Sequence, residues 1–241
     1  MAEWKDGVVT RLTRGVEGLC KHAGVNLVEG RAEFAGETTA RIVHDGAGEG
    51  AETVEFEHAV IATGSRPVEL PGVPFDTEGV VSSKGLLAAE SVPESLVVVG
   101  GGYIGMELST VFAKLGADVT VVEALDSVLP AYEDDVTAVV RDRAADLGVE
   151  FATGLAATDA EPRPDDTVRL TAETGTGESR TFDAERVLVA VGREPVTDTL
   201  NLDAVGLKPT DEGFLDTDEQ CRAARDDVFS VVEGAGETIL A

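Results

Sequence analysis

The stretch LVVVGGGYIGMELSTVFAKLGADVTVVE, Leu96 to Glu123, admits few folds. Leu96, Val97, Val98 and Val99 form an apolar run of the kind found in a strand buried on both faces. Gly100, Gly102 and Gly105 follow as G-x-G-x-x-G. Ile104, Leu108, Val111, Phe112 and Leu115 then recur at helical spacing, and Gly116 supplies a C-terminal stop. Val119, Val121 and Val122 resume as a strand that closes at Glu123. The pattern is strand, tight turn, helix, strand. Its glycines permit the turn, close backbone approach to a pyrophosphate, and tight packing of helix on strand. The helix N-terminus offers N–H groups and the positive end of its dipole to phosphates. Glu123 stands where a carboxylate accepts hydrogen bonds from adenosine ribose hydroxyls. A glycine-rich turn in an ordinary α/β domain is the alternative. The agreement of both strands, the helix and the acid favours dinucleotide binding.

An internal repeat sets the organisation around this unit. VIATGSRP, Val60 to Pro67, returns as LVAVGREP, Leu188 to Pro195, 128 residues later. Before each lies a segment of alternating polar and apolar residues. The first is broken at Gly46, Gly48 and Gly50 and the second at Gly175 and Gly177. Each reads as an antiparallel meander leading into a buried strand that ends in Gly. Two related units follow, and only the second has its glycine-rich βαβ in front. The same offset would put the first unit's counterpart of Gly100 ahead of Met1, so the first unit is expected to lack its front half. Trp4, Val8, Leu12, Val16 and Leu19 fall on one helical face, Gly24 ends that helix, and VNLVEG reads as the next strand. A freestanding N-terminal helix is the alternative, but it leaves the apolar face unexplained. Residues 82–95 link the units, with Pro67, Pro71, Pro74 and Pro93 marking the boundary region. EDDVTAVVRDRAADLG is a further helix, with Val136, Val139, Val140 and Leu147 expected inward. Glu133, Asp134 and Asp135 crowd its positive end, an acidic helix start rather than a metal site.

Composition narrows the function classes. Against 46 acidic residues stand 19 basic ones, giving a net charge of −27 that repels nucleic-acid phosphates and anionic membranes. Neither kind of partner is expected. The acids are scattered and 43% of residues are hydrophobic, which argues against a disordered acidic tail. Such a surface suits high salt, where self-repulsion is screened. No secretory signal or membrane-length apolar run is present, and a cytoplasmic location is expected. Cys20 and Cys221 form no C-x-x-C pattern, and His22, His44 and His58 have no ligand spacing, so no metal is expected.

GGGYIGMELS with Glu123, ATGSRP, VLVAVGREPVTDTL and GFLDTDEQCRAARDDVFSVVEGAGETILA together resemble the dihydrolipoamide dehydrogenases. These belong to the FAD- and NAD-dependent pyridine nucleotide-disulfide oxidoreductases, and the acidity is similar to that of haloarchaeal members. The resemblance covers essentially the whole chain, with four motifs in the family's order. It implies an α/β fold in which a Rossmann-like three-layer NAD domain with an antiparallel meander is flanked by incomplete pieces of a related FAD domain. Residues 1–81 and 213–241 would be the flavin pieces and residues 82–212 the NAD domain. The NAD contacts would be Gly100, Gly101, Gly102, Tyr103, Ile104, Gly105, Met106, Glu107, Glu123 and Gly192, with Glu107 facing the nicotinamide amide. Glu123 favours NAD over NADP, because a 2′-phosphate would meet its carboxylate. FAD contacts would fall on Thr63 and Gly64, on Ala32, on Glu233 at the ribitol, and on Ile239, Leu240 and Ala241 beside the isoalloxazine. A lipoamide-bearing acyltransferase or a small dithiol is the implied redox partner. A separate N-terminal half or a homodimer mate is the implied structural partner.

The departures from that pattern matter as much. The redox C-x-x-x-x-C pair, the FAD-binding G-x-G-x-x-G and the C-terminal His-Glu pair are absent from these residues, and the usual Gly-Asp of the late flavin motif reads Val232-Glu233. No catalytic residue is therefore assigned, and this chain alone is expected to be inactive. Three readings compete: a fragment or split subunit of a dithiol-to-NAD⁺ oxidoreductase, a non-catalytic NAD-binding module, and a decayed paralogue.

Overall fold

The computed structural model describes residues 2–44, 50–231 and 234–235. In chain order they form α1 (Ala2–His22), β1 (Arg31–Gly36), β2 (Thr39–Val43), β3 (Ala51–Glu55), β4 (Ala59–Ile61), β5 (Ser65–Pro67), β6 (Val80–Val81), α2 (Ser83–Leu87), β7 (Ser95–Val99), α3 (Tyr103–Lys114), β8 (Asp118–Glu123), α4 (Asp134–Asp146), β9 (Glu150–Thr153), β10 (Ala156–Pro162), β11 (Val168–Glu173), β12 (Ser179–Ala184), β13 (Arg186–Val189), β14 (Arg193–Pro195) and β15 (Val228–Ser230). A short 3₁₀ turn spans Leu202–Val205. The chain divides into two compact units, one of Pro67–Gly192 and one of Glu3–Arg66 with the residues from Arg193 onward. The crossings thus lie at 66/67 and 192/193, earlier in the chain than the sequence-based division at 81/82 and 212/213. The physical reason is pairing: β6 hydrogen-bonds in parallel to β13, which carries the segment after Pro67 into the Pro67–Gly192 unit.

The Pro67–Gly192 unit has three layers. Its central sheet runs β6-β13-β7-β8-β9, every neighbour parallel. Pleating sends alternate side chains of β7 to opposite faces. Leu96 and Val98 join Val119, Val121 and Leu188 under the helices, against Met106, Leu108, Phe112 and Ala144. Val97 and Val99 join Val122, Val187 and Val189 on the other face, against Leu170 and Ala172 of the antiparallel β10-β11-β12 meander. Val98, Val121, Leu170, Val187 and Leu188 are fully buried, each contributing roughly 1.5–3 kcal/mol of transfer free energy. The sequence misplaced the inner stripe of α4. Val136, Val139 and Leu147 are exposed, while Thr137 and Ala144 are buried and Val140 packs partly against the core. The helix is turned by one position, because the small Ala144 and the hydroxyl of Thr137, aimed at Leu129 O (3.4 Å), face the sheet more closely than the valines.

The other unit keeps a smaller core of Phe34, Ile61, Leu200, Leu202, Val205, Leu207, Leu215 and Val228. Its sheets are the antiparallel β1-β2-β3 meander and a two-stranded parallel pair, β15-β4. α1 forms as expected and ends near Gly24, whose φ of +74° only glycine adopts freely. Two expectations fail here. None of the α1 side chains is buried, with Trp4 and Leu19 each 71% exposed. Residues 25–29 form no strand. Val25 N–H donates to Cys20 O at 2.9 Å and His44 Nδ1 lies 2.8 Å from Glu29 O, but no described strand pairs with the segment, and a strand exists only where another supplies its ladder.

The two segments that cross between the units, β5 and β14, pair as a short ribbon. Repeat-related residues meet across it. Arg66 Nε donates to Glu194 Oε1 at 2.6 Å, and Arg193 Nε donates to Ser65 Oγ at 2.8 Å, each pair separated by the repeat offset of 128.

Candidate nucleotide site

The glycine loop sits where the sheet order reverses. From β7 the chain moves through α3 to β8 and through α4 to β9, whereas β13 and β6 lie on the other side of β7. A crevice at the carboxyl ends of strands about such a switch point is where open α/β sheets bind ligands.

Each glycine of the motif has a different physical task. Gly100 has φ +101°, and a Cβ there would lie 2.5 Å from Ala190 O. Gly105 packs so closely that a Cβ would collide with Gly100 O, so the start of α3 lies directly on the backbone of the turn. Gly102 is the N-cap of α3, with no side-chain cap bond, and a Cβ there would meet nothing within 4 Å. The fold does not need glycine at 102; the open space in front of the helix N-terminus is what a pyrophosphate requires.

Glu123 closes β8 and is only 8% exposed. Its Oε2 accepts from Gly101 N–H at 2.6 Å and its Oε1 from Leu125 N–H at 2.8 Å. Gly101 C=O is held by Leu129 N–H at 2.8 Å, and Val128 packs beneath Gly101. Sequence reasoning placed Glu123 in the site but missed this bracing and the part played by Val128 and Leu129. The only trace in the sequence is the apolar pair Val128-Leu129 just after Asp126-Ser127.

The remaining candidates occupy the same unit. Glu107 is exposed on α3 and lines, with Tyr103, Met106, Leu129 and Tyr132, an apolar groove of about 480 Å³ between α3 and α4. Met106 is buried and Ile104 is half-buried against the helical core, so both support the loop from behind. Gly192 has φ +144°, and its C=O accepts from Val68 N–H at 3.0 Å.

The flavin candidates belong to the other unit. Thr63 Oγ1 donates to Val196 O at 2.6 Å, and Gly64, at φ +71°, accepts from Val196 N–H at 3.0 Å. The turn is held further by Arg66, whose guanidinium grips Asp198 at 3.0–3.1 Å and keeps that carboxyl below the usual carboxylate range. Ala32 is exposed on β1 opposite Ile42. Glu233, Ile239, Leu240 and Ala241 lie outside the described residues. In this unit the described residues include no glycine loop at a helix N-terminus, so the anchor a flavin pyrophosphate needs is not formed by them. Among the described residues no group of three or more His, Cys, Asp or Glu could hold a metal, and no helix is long and apolar enough to cross a membrane.

Residues 2–237 match the family described as pyridine nucleotide-disulphide oxidoreductase. Dihydrolipoyl dehydrogenase 2 of Haloarcula marismortui is 60% identical over 241 residues, all of this chain and 51% of that protein. Dihydrolipoyl dehydrogenase of Halobacterium salinarum is 57% identical over the same span and also covered to 51%. Among solved structures, the Cu(II) complex of the HOCl-induced flavoprotein disulfide reductase RclA from Escherichia coli superposes with a TM-score of 0.89 at 26% identity, covering 99% of this chain and 53% of that one. The chain spans about half the length of the curated relatives it matches.

Proposed function

The chain belongs to the pyridine nucleotide-disulphide oxidoreductases, and from that premise we propose that it is the NAD-reading part of a dihydrolipoamide dehydrogenase-type enzyme. In the assembled enzyme a dithiol is oxidised to a disulfide and NAD⁺ is reduced, with FAD supplying the relay between them. This chain's own residues perform the nucleotide half. The α3 N-terminus and Gly102 receive the pyrophosphate, Glu123 takes the ribose hydroxyls, and Glu107 orients the nicotinamide amide. The observation that carries the reading is Gly102: a glycine the fold does not require, at an uncapped helix N-terminus, facing open space.

The dithiol half has no support in these residues. Cys20 and Cys221 are both free, one on α1 and one on an exposed turn, and thiol–disulfide exchange needs a neighbouring pair. The reading therefore includes a complementing flavin-domain half, a homodimer mate, a lipoamide-bearing or small dithiol substrate, and a cytoplasmic location. The exposed face of α1 and the segment 25–29, which no described strand pairs with, support the complementing half. A second reading, a non-catalytic NAD module or decayed paralogue, is favoured by the two solitary cysteines.

Calorimetric titration in molar KCl tests the proposal. NADH is expected to bind saturably, and Gly102→Val to weaken it at least about a hundredfold by blocking backbone approach, at unchanged melting temperature. NADPH binding as tight as NADH, or a Gly102→Val chain that binds normally, would sink the reading. NADH formation from dihydrolipoamide and NAD⁺ by this chain alone would show that the thiol chemistry has been misassigned.

A further inference from the structure

We propose that Glu123 is a positioning residue for the glycine loop, and that its discrimination against a 2′-phosphate cannot be separated from that role. This rests on the NAD reading above and adds a mechanism to it.

A carboxylate presents two oxygens with two lone pairs each. In Glu123 each oxygen already holds one backbone donor, Gly101 N–H on Oε2 and Leu125 N–H on Oε1. These two donors leave each oxygen one acceptor site, the number that two adjacent ribose hydroxyls would use. The bracing continues on the far side of the same peptide, where Leu129 N–H holds Gly101 C=O at 2.8 Å. Gly101 is fixed at both ends, and Val128 would meet a Cβ on it at 2.6 Å. A carboxylate only 8% exposed, with two charge-assisted bonds, does not swing aside for a larger ligand.

The consequence concerns substitution. Removing the carboxylate leaves Gly101 N–H buried without its acceptor and frees the part-buried Leu125 N–H, an unfavourable change well beyond the loss of one contact. The loop that receives the pyrophosphate then loses its shape. A small neutral residue at 123 should weaken NADH without admitting NADPH, unlike a residue that only reads the ribose.

The test uses the whole chain and its Glu123→Gln and Glu123→Ala variants in molar KCl. Backbone amide exchange should show Gly101 and Leu125 protected in the original chain and exchanging roughly tenfold to a hundredfold faster in both variants. Protected Val98 and Val121 amides in the variants show that the sheet remains folded; the near-isosteric Gln variant serves if Ala does not fold. NADH affinity should fall about tenfold to a hundredfold in each variant, with NADPH binding no tighter than in the original chain. A 2′-deoxy analogue of NADH separates reading from bracing: the original chain should disfavour it about tenfold, and the Ala variant should not distinguish it from NADH. An Ala variant that gains NADPH affinity while Gly101 stays protected overturns the proposal. If the original chain binds neither nucleotide, the NAD reading fails. The exchange data then decide the bracing alone: lost protection supports it and unchanged protection overturns it.

Discussion

Residues 24–30, GVNLVEG, and residues 148–154, GVEFATG, share an opening Gly-Val and a closing Gly around a mostly apolar centre, with different outcomes. Each follows a helix, α1 or α4, and each opens on a glycine of positive φ, +74° at Gly24 and +92° at Gly148. From there they diverge. Glu150–Thr153 becomes β9, the edge of the parallel sheet, hydrogen-bonded to β8. Residues 25–29 form no strand, and Val25, Leu27 and Val28 are 51%, 59% and 41% exposed. The helix stop is local, because it depends on one glycine's backbone freedom. The strand is not local, because it exists only where another strand supplies the ladder. The Pro67–Gly192 unit contains β7 and β8 between β13 and β9; in the other unit no described strand stands between β4 and residues 25–29.

Core truncations should separate the two regions most sharply. Leu188→Ala, at a fully buried position in β13, is expected to cost about 2–5 kcal/mol, whereas Leu27→Ala should stay within about 0.5 kcal/mol. Chemical denaturation in molar KCl measures both, and an equal loss at Leu27 would break the comparison. Salt comes next. With a net charge of −27, the midpoint of thermal unfolding should rise from about 0.1 M to about 1 M KCl as repulsion is screened. A flat series would remove the argument for a high-salt protein. The smallest effect is acid sensitivity. Arg169 lowers the Asp183 carboxyl in the nucleotide unit, while Arg66 and Arg225 lower Asp198 and Asp227 in the other. Depressed carboxyl values stabilise the fold fully above the ordinary aspartate pKa of about 3.9, and that contribution is lost as pH falls through the lowered values. These pairs are largely exposed, so a modest loss of stability below about pH 4 is expected in both units. A midpoint that holds steady through acid titration would remove these pairs from the account.

What the sequence disclosed follows the same division. The βαβ around Gly100, the repeat at 60–67 and 188–195, both meanders and the end of α1 were legible, because each depends on residues close together in the chain. The inner stripe of α4 was not. Val136 and Val139 have the right spacing, yet Thr137 and Ala144 are inside because facing side chains, not spacing alone, choose which row of a helix is buried. Residues 25–29 had strand composition but no partner strand among the described residues. In the candidate site, the place of Glu123 at the end of β8 was legible. Its bonds to Gly101 and Leu125 were not readable, since they depend on how the following segment folds back under the loop.

Residues Glu150–Thr153 are held by a parallel ladder in the unit proposed to bind a nucleotide, whereas no described strand pairs with residues 25–29. Hydrogen exchange of the whole chain in molar KCl, with and without NADH, tests this directly. Amides of Glu150–Thr153 are expected to be strongly protected and those of residues 26–29 to exchange freely. Added NADH should deepen protection only around Gly100–Glu107 and Glu123. Equal protection of the two segments, or a nucleotide response confined to the other unit, would contradict the account.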